Sequence, residues 1–451
     1  MAATHGQLPA GITGVIQAVS SGKSARRASR KAKQRAPVSA VWPIAPARAV
    51  RLIAPAAAPL DNSNWTVKVT PTVRAAPARP EHVQRQERLE RVSKLISENE
   101  GHVHFGRHAE AEACQRAAWS IDRGFYKMCG GMSNVEHGNY SVGWSWIDAA
   151  HAHALRGAGH RWDGVPFNGT VVVFRGTSVF SGLGDQIVFA RFVKMIRARG
   201  VRRIVILCER PLLRLFARLP GVDAVHLVTP NVAGLVDFRL PTGEHPAKWI
   251  EWSALPHVLG IKSIDAVPRE PYITADQRDV MHWGPRLPQQ GLRVGLVWRT
   301  DKLARDATQR GLPLHLLAPL WEVPGVSFVS LQKGVGEDEA RASTLPLTVV
   351  DDKDLADTAA IIAQLDLVIG ADVCVTNLSG AMGVPTWLLS ALPQGFRWRH
   401  NWYPSARLFR PEREIEPTKI GPSTYVPVVQ NVRDALREFA ASRPAAAGRA
   451  A

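Results

Sequence analysis

From residue 170 onward the chain alternates short, continuous apolar runs with helically spaced apolar positions. Thr170–Phe174 (TVVVF) and Arg203–Leu207 (RIVIL) have the uninterrupted character of parallel strands buried on both faces, and Ala224–Leu227 and Leu235–Phe238 are shorter candidates. Between them, Phe189, Phe192, Val193 and Ile196 mark one face of a helix over Ile187–Ala198, and Pro211–Arg218 forms a second. The pattern then restarts. Leu292–Trp298, Ser327–Leu331 and Thr348–Val350 are strands, with a helix at His315–Leu320 and another over Asp354–Leu365. Asp354 is the N-cap of the latter, and Asp357 in its first turn favours the helix dipole. Leu367–Gly370 is a buried strand feeding a polar turn, then a helix capped by Thr376 or Asn377 that runs to about Met382, where Gly383 ends it. Pro385-Thr386-Trp387 opens the next strand, and Val432–Ala440 is a C-terminal helix. Strands alternating with helices predict two successive α/β units with parallel sheets, divided in the loop Asp276–Gln290 and leaving a ligand cleft between them.

Upstream the pattern differs. Val83, Leu89, Val92 and Ile96 form one face of a helix ending near Ser97. Residues 108–155 continue helically, with Gly130-Gly131 and Gly138 read as turns. The spacing of aromatic and alanine residues here is weakly like the last helical pair of a tetratricopeptide array, without a second copy to set a period. Residues 1–80 carry twelve Lys/Arg and one acid, so +11 of the net charge of +17 lies there. With recurrent proline and no apolar periodicity they read as a disordered basic arm: a solvated tail, a weak contact for nucleic acid or an anionic surface, or a stretch loosely similar to an organelle transit peptide. The boundaries follow as 1–80 for the arm, 81–160 helical, 161–280 and 281–441 for the two α/β units, and 442–451 for a disordered tail.

No apolar run approaches the ~20 residues of a membrane-spanning helix. The four cysteines, Cys114, Cys129, Cys208 and Cys374, show no metal-ligand spacing and suit reduced thiols in the cytoplasm. No metal or cofactor is expected.

Three stretches could carry chemistry. Gly182-Leu183-Gly184-Asp185 lets backbone approach a ligand and ends in a carboxylate, which is either the first-turn acid of the following helix or a general base. Gly295, Trp298, Arg299, Lys302, Arg305 and Gln332-Lys333-Gly334 fall at or just beyond carboxyl ends of strands. With the helix after Asp372 they would ring a pocket with cations and N–H donors suited to a diphosphate. Arg397–Arg410 (RWRHNWYPSARLFR) is basic and aromatic, as a base-stacking segment would be, but Trp402-Tyr403-Pro404 within it reads as a packed loop closing over the second sheet. Glu337-Asp338-Glu339 reads as solvated charge.

Taken together, RWDG (161–164), SGLGDQIVFARFV (181–193), LPGVDAV (219–225), GLVWR (295–299), VSLQKG (329–334), DLADTAAIIAQLDLVI (354–369), NLSGAMGVPTWLL (377–389) and WYPSARLFR (402–410) resemble a known family. It is the bacterial glycosyltransferase domain that follows tetratricopeptide repeats, related to ADP-heptose heptosyltransferases. The resemblance implies the GT-B fold, two Rossmann-like domains facing a cleft, and inverting, metal-independent transfer from a nucleotide-diphosphate sugar to a protein or glycan hydroxyl. It implies Asp185 as the base, with Gly182, Gly184 and Gln186 on the acceptor side. Gly295, Trp298, Arg299, Gln332, Lys333, Asp372, Thr376, Asn377, Ser379 and Gly380 would bind the donor. The turn reads Asp372-Val373-Cys374-Val375-Thr376-Asn377 where the family commonly has Asp-Thr-x-x-Ala-His. A catalytically degenerate scaffold that binds a partner protein is the alternative.

Overall fold

The computed structural model describes residues 108–154, 161–175, 182–227, 247–300, 310–391, 395–413, 415 and 419–443, with scattered helical positions between 87 and 99. The basic arm, the expected strand 235–238, and Lys302 and Arg305 lie outside the described residues.

Helices α1 (His108–Ile121), α2 (Arg123–Glu136) and α3 (Tyr140–Ala154) precede the first sheet. Gly130 and Gly131 do not form a turn: both lie inside α2. A Cβ at Gly131 would come within 2.8 Å of the Gly143 carbonyl oxygen, and one at Gly143 within 2.7 Å of that of Gly131. These glycines therefore serve close approach of α2 to α3, which outweighs their helix penalty of about 1 kcal/mol each. The turn falls at Gly138, whose φ of 85° suits glycine.

The first sheet has strand order β3-β2-β1-β4, all parallel. β1 (Thr170–Phe174), β2 (Arg203–Cys208) and β3 (Ala224–Leu227) fall where expected, and β4 (Ala247–Glu251) is an addition. The expected helix 187–198 is two helices, α4 (Leu183–Ala190) and Val193–Ala198. The first begins early enough to place Asp185 in its opening turn. The loop expected over 276–290 contains the helix Gln277–Trp283, capped by the Asp276 side chain.

The second sheet, β10-β9-β8-β5-β6-β7, is also parallel throughout. Its strands are β5 (Leu292–Val297), β6 (Val326–Ser330), β7 (Leu347–Val349), β8 (Leu367–Gly370), β9 (Thr386–Leu389) and β10 (Ala406–Phe409). Helices α5 (Leu355–Ile362), α6 (Cys374–Ala381) and α7 (Phe396–Arg399) lie between strands, and α8 (Val426–Ala441) closes the chain. Asp354 caps α5 as expected, accepting from the N–H groups of Ala356 and Asp357. Alternate residues of this sheet enter two cores: Val294, Leu296, Leu367, Ile369, Trp387 and Leu389 pack beneath α8. Val297, Val368 and Leu388 join the other core, which also takes in α3, one face of the first sheet, and Phe396, Trp402 and Tyr403. One apolar core thus ties the helical region and both sheets together. Its buried Phe189 and Phe396 each contribute about 1.5–3 kcal/mol by burial.

Candidate active site at the seam between the sheets

Asp185 sits beyond the carboxyl end of β1, and the first turn of α6 beyond that of β8. The two meet. A Cβ at Gly184 would lie 3.4 Å from the Cα of Cys374 and 3.4 Å from Nδ2 of Asn377, an ordinary van der Waals contact that brings α4 against the start of α6. Asp185 accepts twice: Oδ2 from the Gly182 N–H (3.2 Å), and Oδ1 from Nη1 of Arg397 in α7 (3.1 Å). A carboxylate has about four lone-pair positions, so capacity remains for a substrate hydroxyl. Burial disfavours the Arg397 charge, but the negative charges of Asp372 and Asp185 outweigh this and raise its pKa above the ordinary arginine value. Gln186, expected on the acceptor side, is buried and donates to Glu209 (2.8 Å), which also receives Arg175 (2.6 Å).

The opening of α6 differs from expectation. Neither Thr376 nor Asn377 is the N-cap; Val373 occupies that position. Thr376 reaches back from within the first turn, its hydroxyl accepting from the Val373 N–H (3.1 Å) and lying 2.9 Å from the Ala371 carbonyl oxygen. Asn377 donates to the Val373 carbonyl (2.8 Å) and accepts from the Tyr403 hydroxyl (3.3 Å). Ser379 is buried against Thr386 Oγ1 (2.7 Å), and a Cβ at Gly380 would lie 2.7 Å from the Tyr403 ring. Both belong to the packing beneath the turn. The Cys374 thiol lies at the seam, and burial pushes its pKa up to about 11, so it is protonated at neutral pH.

The remaining expected donor residues form a second cluster. Gly295 lies inside β5, where a Cβ would strike Leu331 and Leu365, both at 2.6 Å. It serves the core. Gln332 is buried, accepting from the N–H groups of Trp298 (2.9 Å) and Arg299 (2.8 Å) and donating to the Val335 carbonyl (2.7 Å), so it stitches two loops together. Arg299 is committed to Glu339 through Nε (2.8 Å) and Nη2 (2.5 Å). The buried Trp298 indole and the Leu314 N–H donate to the same carboxylate. Glu339 is therefore a central acceptor and not solvated charge. Burial opposes its ionisation, yet Leu314, Arg299 and Trp298 together bring its pKa below the ordinary value. Lys333 pairs with the buried Asp352 at 2.6 Å, and burial still raises the Asp352 pKa.

Two basic side chains escape a reading by spacing. Arg397 opens the basic, aromatic segment 397–410, and its place at the seam depends on a contact between residues 212 apart in sequence. Arg214 reaches from the first unit to Asp354 (3.1 Å) and Asp357 (3.0 Å) on the second, and to Asp279 (2.6 Å) on the connecting helix.

Among the described residues, no group of three or more His, Cys, Asp or Glu side chains could hold a metal ion, and no helix is long and apolar enough to cross a membrane. No protein-family model matches the chain. Protein FlbA of Caulobacter vibrioides is 32% identical over 330 residues, covering 68% of this chain and 54% of FlbA; the chain thus spans about half the length of that relative. Among solved structures, a glycosyl transferase family 9 protein of Veillonella parvula aligns with 12% identity over 62% of this chain and 100% of that one, with a TM-score of 0.46. The ADP-heptose lipopolysaccharide heptosyltransferase II of E. coli aligns with 12% identity over 60% of this chain and 100% of that one, at a TM-score of 0.42. E. coli heptosyltransferase WaaC with ADP aligns with 12% identity over 60% and 99%, at 0.40.

Proposed function

We propose that the chain is a glycosyltransferase of the GT-B type, moving a sugar from a nucleotide-diphosphate sugar to an acceptor hydroxyl with inversion. The observation that carries this reading is the meeting of the opening turn of α4, which bears Asp185, with the first turn of α6 beyond the carboxyl ends of the two sheets, Arg397 bonding to Asp185 there. Asp185 removes the proton of the acceptor hydroxyl. The freed oxygen attacks the anomeric carbon from the face opposite the diphosphate, and that bond breaks as the new one forms. The N–H groups opening α6 are a ready site for the departing diphosphate. Arg299 and Lys333, committed to Glu339 and Asp352, hold the loops around the donor in shape. The reading assigns no step to a metal, so chelation leaves the rate unchanged.

The scaffold alternative draws on the same pairings, because Arg299 and Lys333, two of the cations expected around the diphosphate, already have carboxylate partners and the seam is in contact. Sugar transfer and donor hydrolysis, measured over a panel of nucleotide sugars for wild type and Asp185→Ala, separate the two. Activity in wild type that falls by at least about 100-fold in Asp185→Ala supports catalysis, in line with the loss of a general base. Equal activity in both, or none in either, leaves the scaffold.

A further inference from the structure

The segment bearing Arg397 is held from outside both sheets. Phe396 and Trp402 are buried, their rings 4.7 Å apart, and Trp144 of α3 meets Phe396 edge-on at 5.5 Å. The Trp402 indole donates to the Tyr140 hydroxyl (2.9 Å), and His400 Nε2 lies 2.9 Å from the carbonyl oxygen of Glu136 at the end of α2. The α2–α3 hairpin thereby fixes the backbone from which Arg397 projects. The guanidinium makes its bond to Asp185 through Nη1, while its Nε is buried without a hydrogen-bond acceptor. A buried donor left unmet is costly, so packing of the segment on the hairpin, together with the bond to Asp185, sets the position of this side chain.

From this geometry we infer that Arg397 is the positioning residue of the site: it reaches across the seam from the second unit and fixes the direction of the Asp185 carboxylate. The two oxygens of Asp185 are gripped from different bodies, Oδ2 by its own loop and Oδ1 by Arg397. Rotation of the carboxylate is therefore restrained only while the units are together, and the base is aimed only in the closed arrangement. The inference rests on the glycosyltransferase reading for its catalytic consequence, though the seam contact stands independently of it.

The test uses the full chain with Arg397→Lys, Arg397→Ala, Asp185→Asn and the Asp185→Asn/Arg397→Ala double variant. A misaimed base predicts a loss of about 100-fold in kcat for Arg397→Ala, with KM for the donor changing far less. Arg397→Lys keeps the charge but loses the planar fork and lies between the two. Added guanidinium ion restores about tenfold in Arg397→Ala, by refilling a shaped site, and nothing in Asp185→Asn. A purely structural role would give neither the kcat-against-KM split nor the rescue, and wild-type kcat in Arg397→Ala or absent rescue overturns the proposal. A thermal-unfolding cycle reads the contact without turnover: once Arg397 is gone, the shift in melting temperature caused by Asp185→Asn should shrink to what its bond with the Gly182 N–H contributes. Additive shifts remove the contact, and with it the proposal. A wild type inactive on every donor sinks the glycosyltransferase reading instead, and the cycle alone then decides whether Arg397 holds Asp185.

Discussion

Tyr140→Phe tests whether the helical hairpin is built into the site's architecture. The substitution removes one oxygen, the acceptor for the Trp402 indole, at a position 2% exposed against a tryptophan that is fully buried. The ring remains, so its contacts with Trp144, Trp402 and His400 persist. What changes is that an indole N–H is left in the core without a partner, which costs about 1–3 kcal/mol. Urea unfolding should show this as a lower midpoint at unchanged slope, because the surface exposed on unfolding stays the same. Trp402→Phe removes the donor and some buried area, and in that background Tyr140→Phe should cost less than about 0.5 kcal/mol. A full effect of Tyr140→Phe in both backgrounds, or a negligible effect in wild type, would refute the docking of the hairpin through this bond.

Two further outcomes follow from the second unit. Lys333→Met leaves the buried Asp352 without its cation and should destabilise by about 1–3 kcal/mol at neutral pH, with Lys333 itself one-third exposed. Burial raises the Asp352 pKa, so as pH falls through that value the carboxyl takes up a proton, the attraction to Lys333 disappears, and the cost shrinks; urea midpoints at pH 7 and pH 4 measure both. Gly380→Ala drives a methyl group to 2.7 Å from the Tyr403 ring and should cost about 1–3 kcal/mol by overpacking, read from the same unfolding curves. It should also weaken nucleotide-sugar binding in calorimetry, because the Tyr403 hydroxyl supports Asn377 in the first turn of α6.

The parallel strands were the most legible part of the chain, because burial on both faces makes them continuous apolar runs. β4 and β10 escaped: AKWIE and ARLF mix charged and apolar positions in four or five residues and carry no strand signature of their own. Gly130-Gly131 reads as a turn because glycine is a breaker by propensity, and only the partner helix shows that the missing side chain is used for contact. Asp185 and the α6 turn were visible as local motifs. The division of labour among the cations was not, since Arg299–Glu339 joins residues 40 apart and Arg397–Asp185 residues 212 apart. Spacing along a chain reports which residues share an element; it does not report which charge in another element has claimed them.

The Arg214 clamp has a consequence for the working conditions of the protein. One guanidinium, 46% exposed, holds carboxylates of the connecting helix and the second unit, and the neighbouring Arg218–Asp276 pair joins the first unit to that helix. Attraction between partly solvated charges weakens as the Debye length contracts, from about 10 Å at 0.1 M salt to about 3 Å at 1 M. Ionic strength is then a dial on this rim clamp alone, because the apolar core that the two units share is not screened by salt. A ligand that must enter between them should therefore show an association rate that responds only weakly to salt through this clamp.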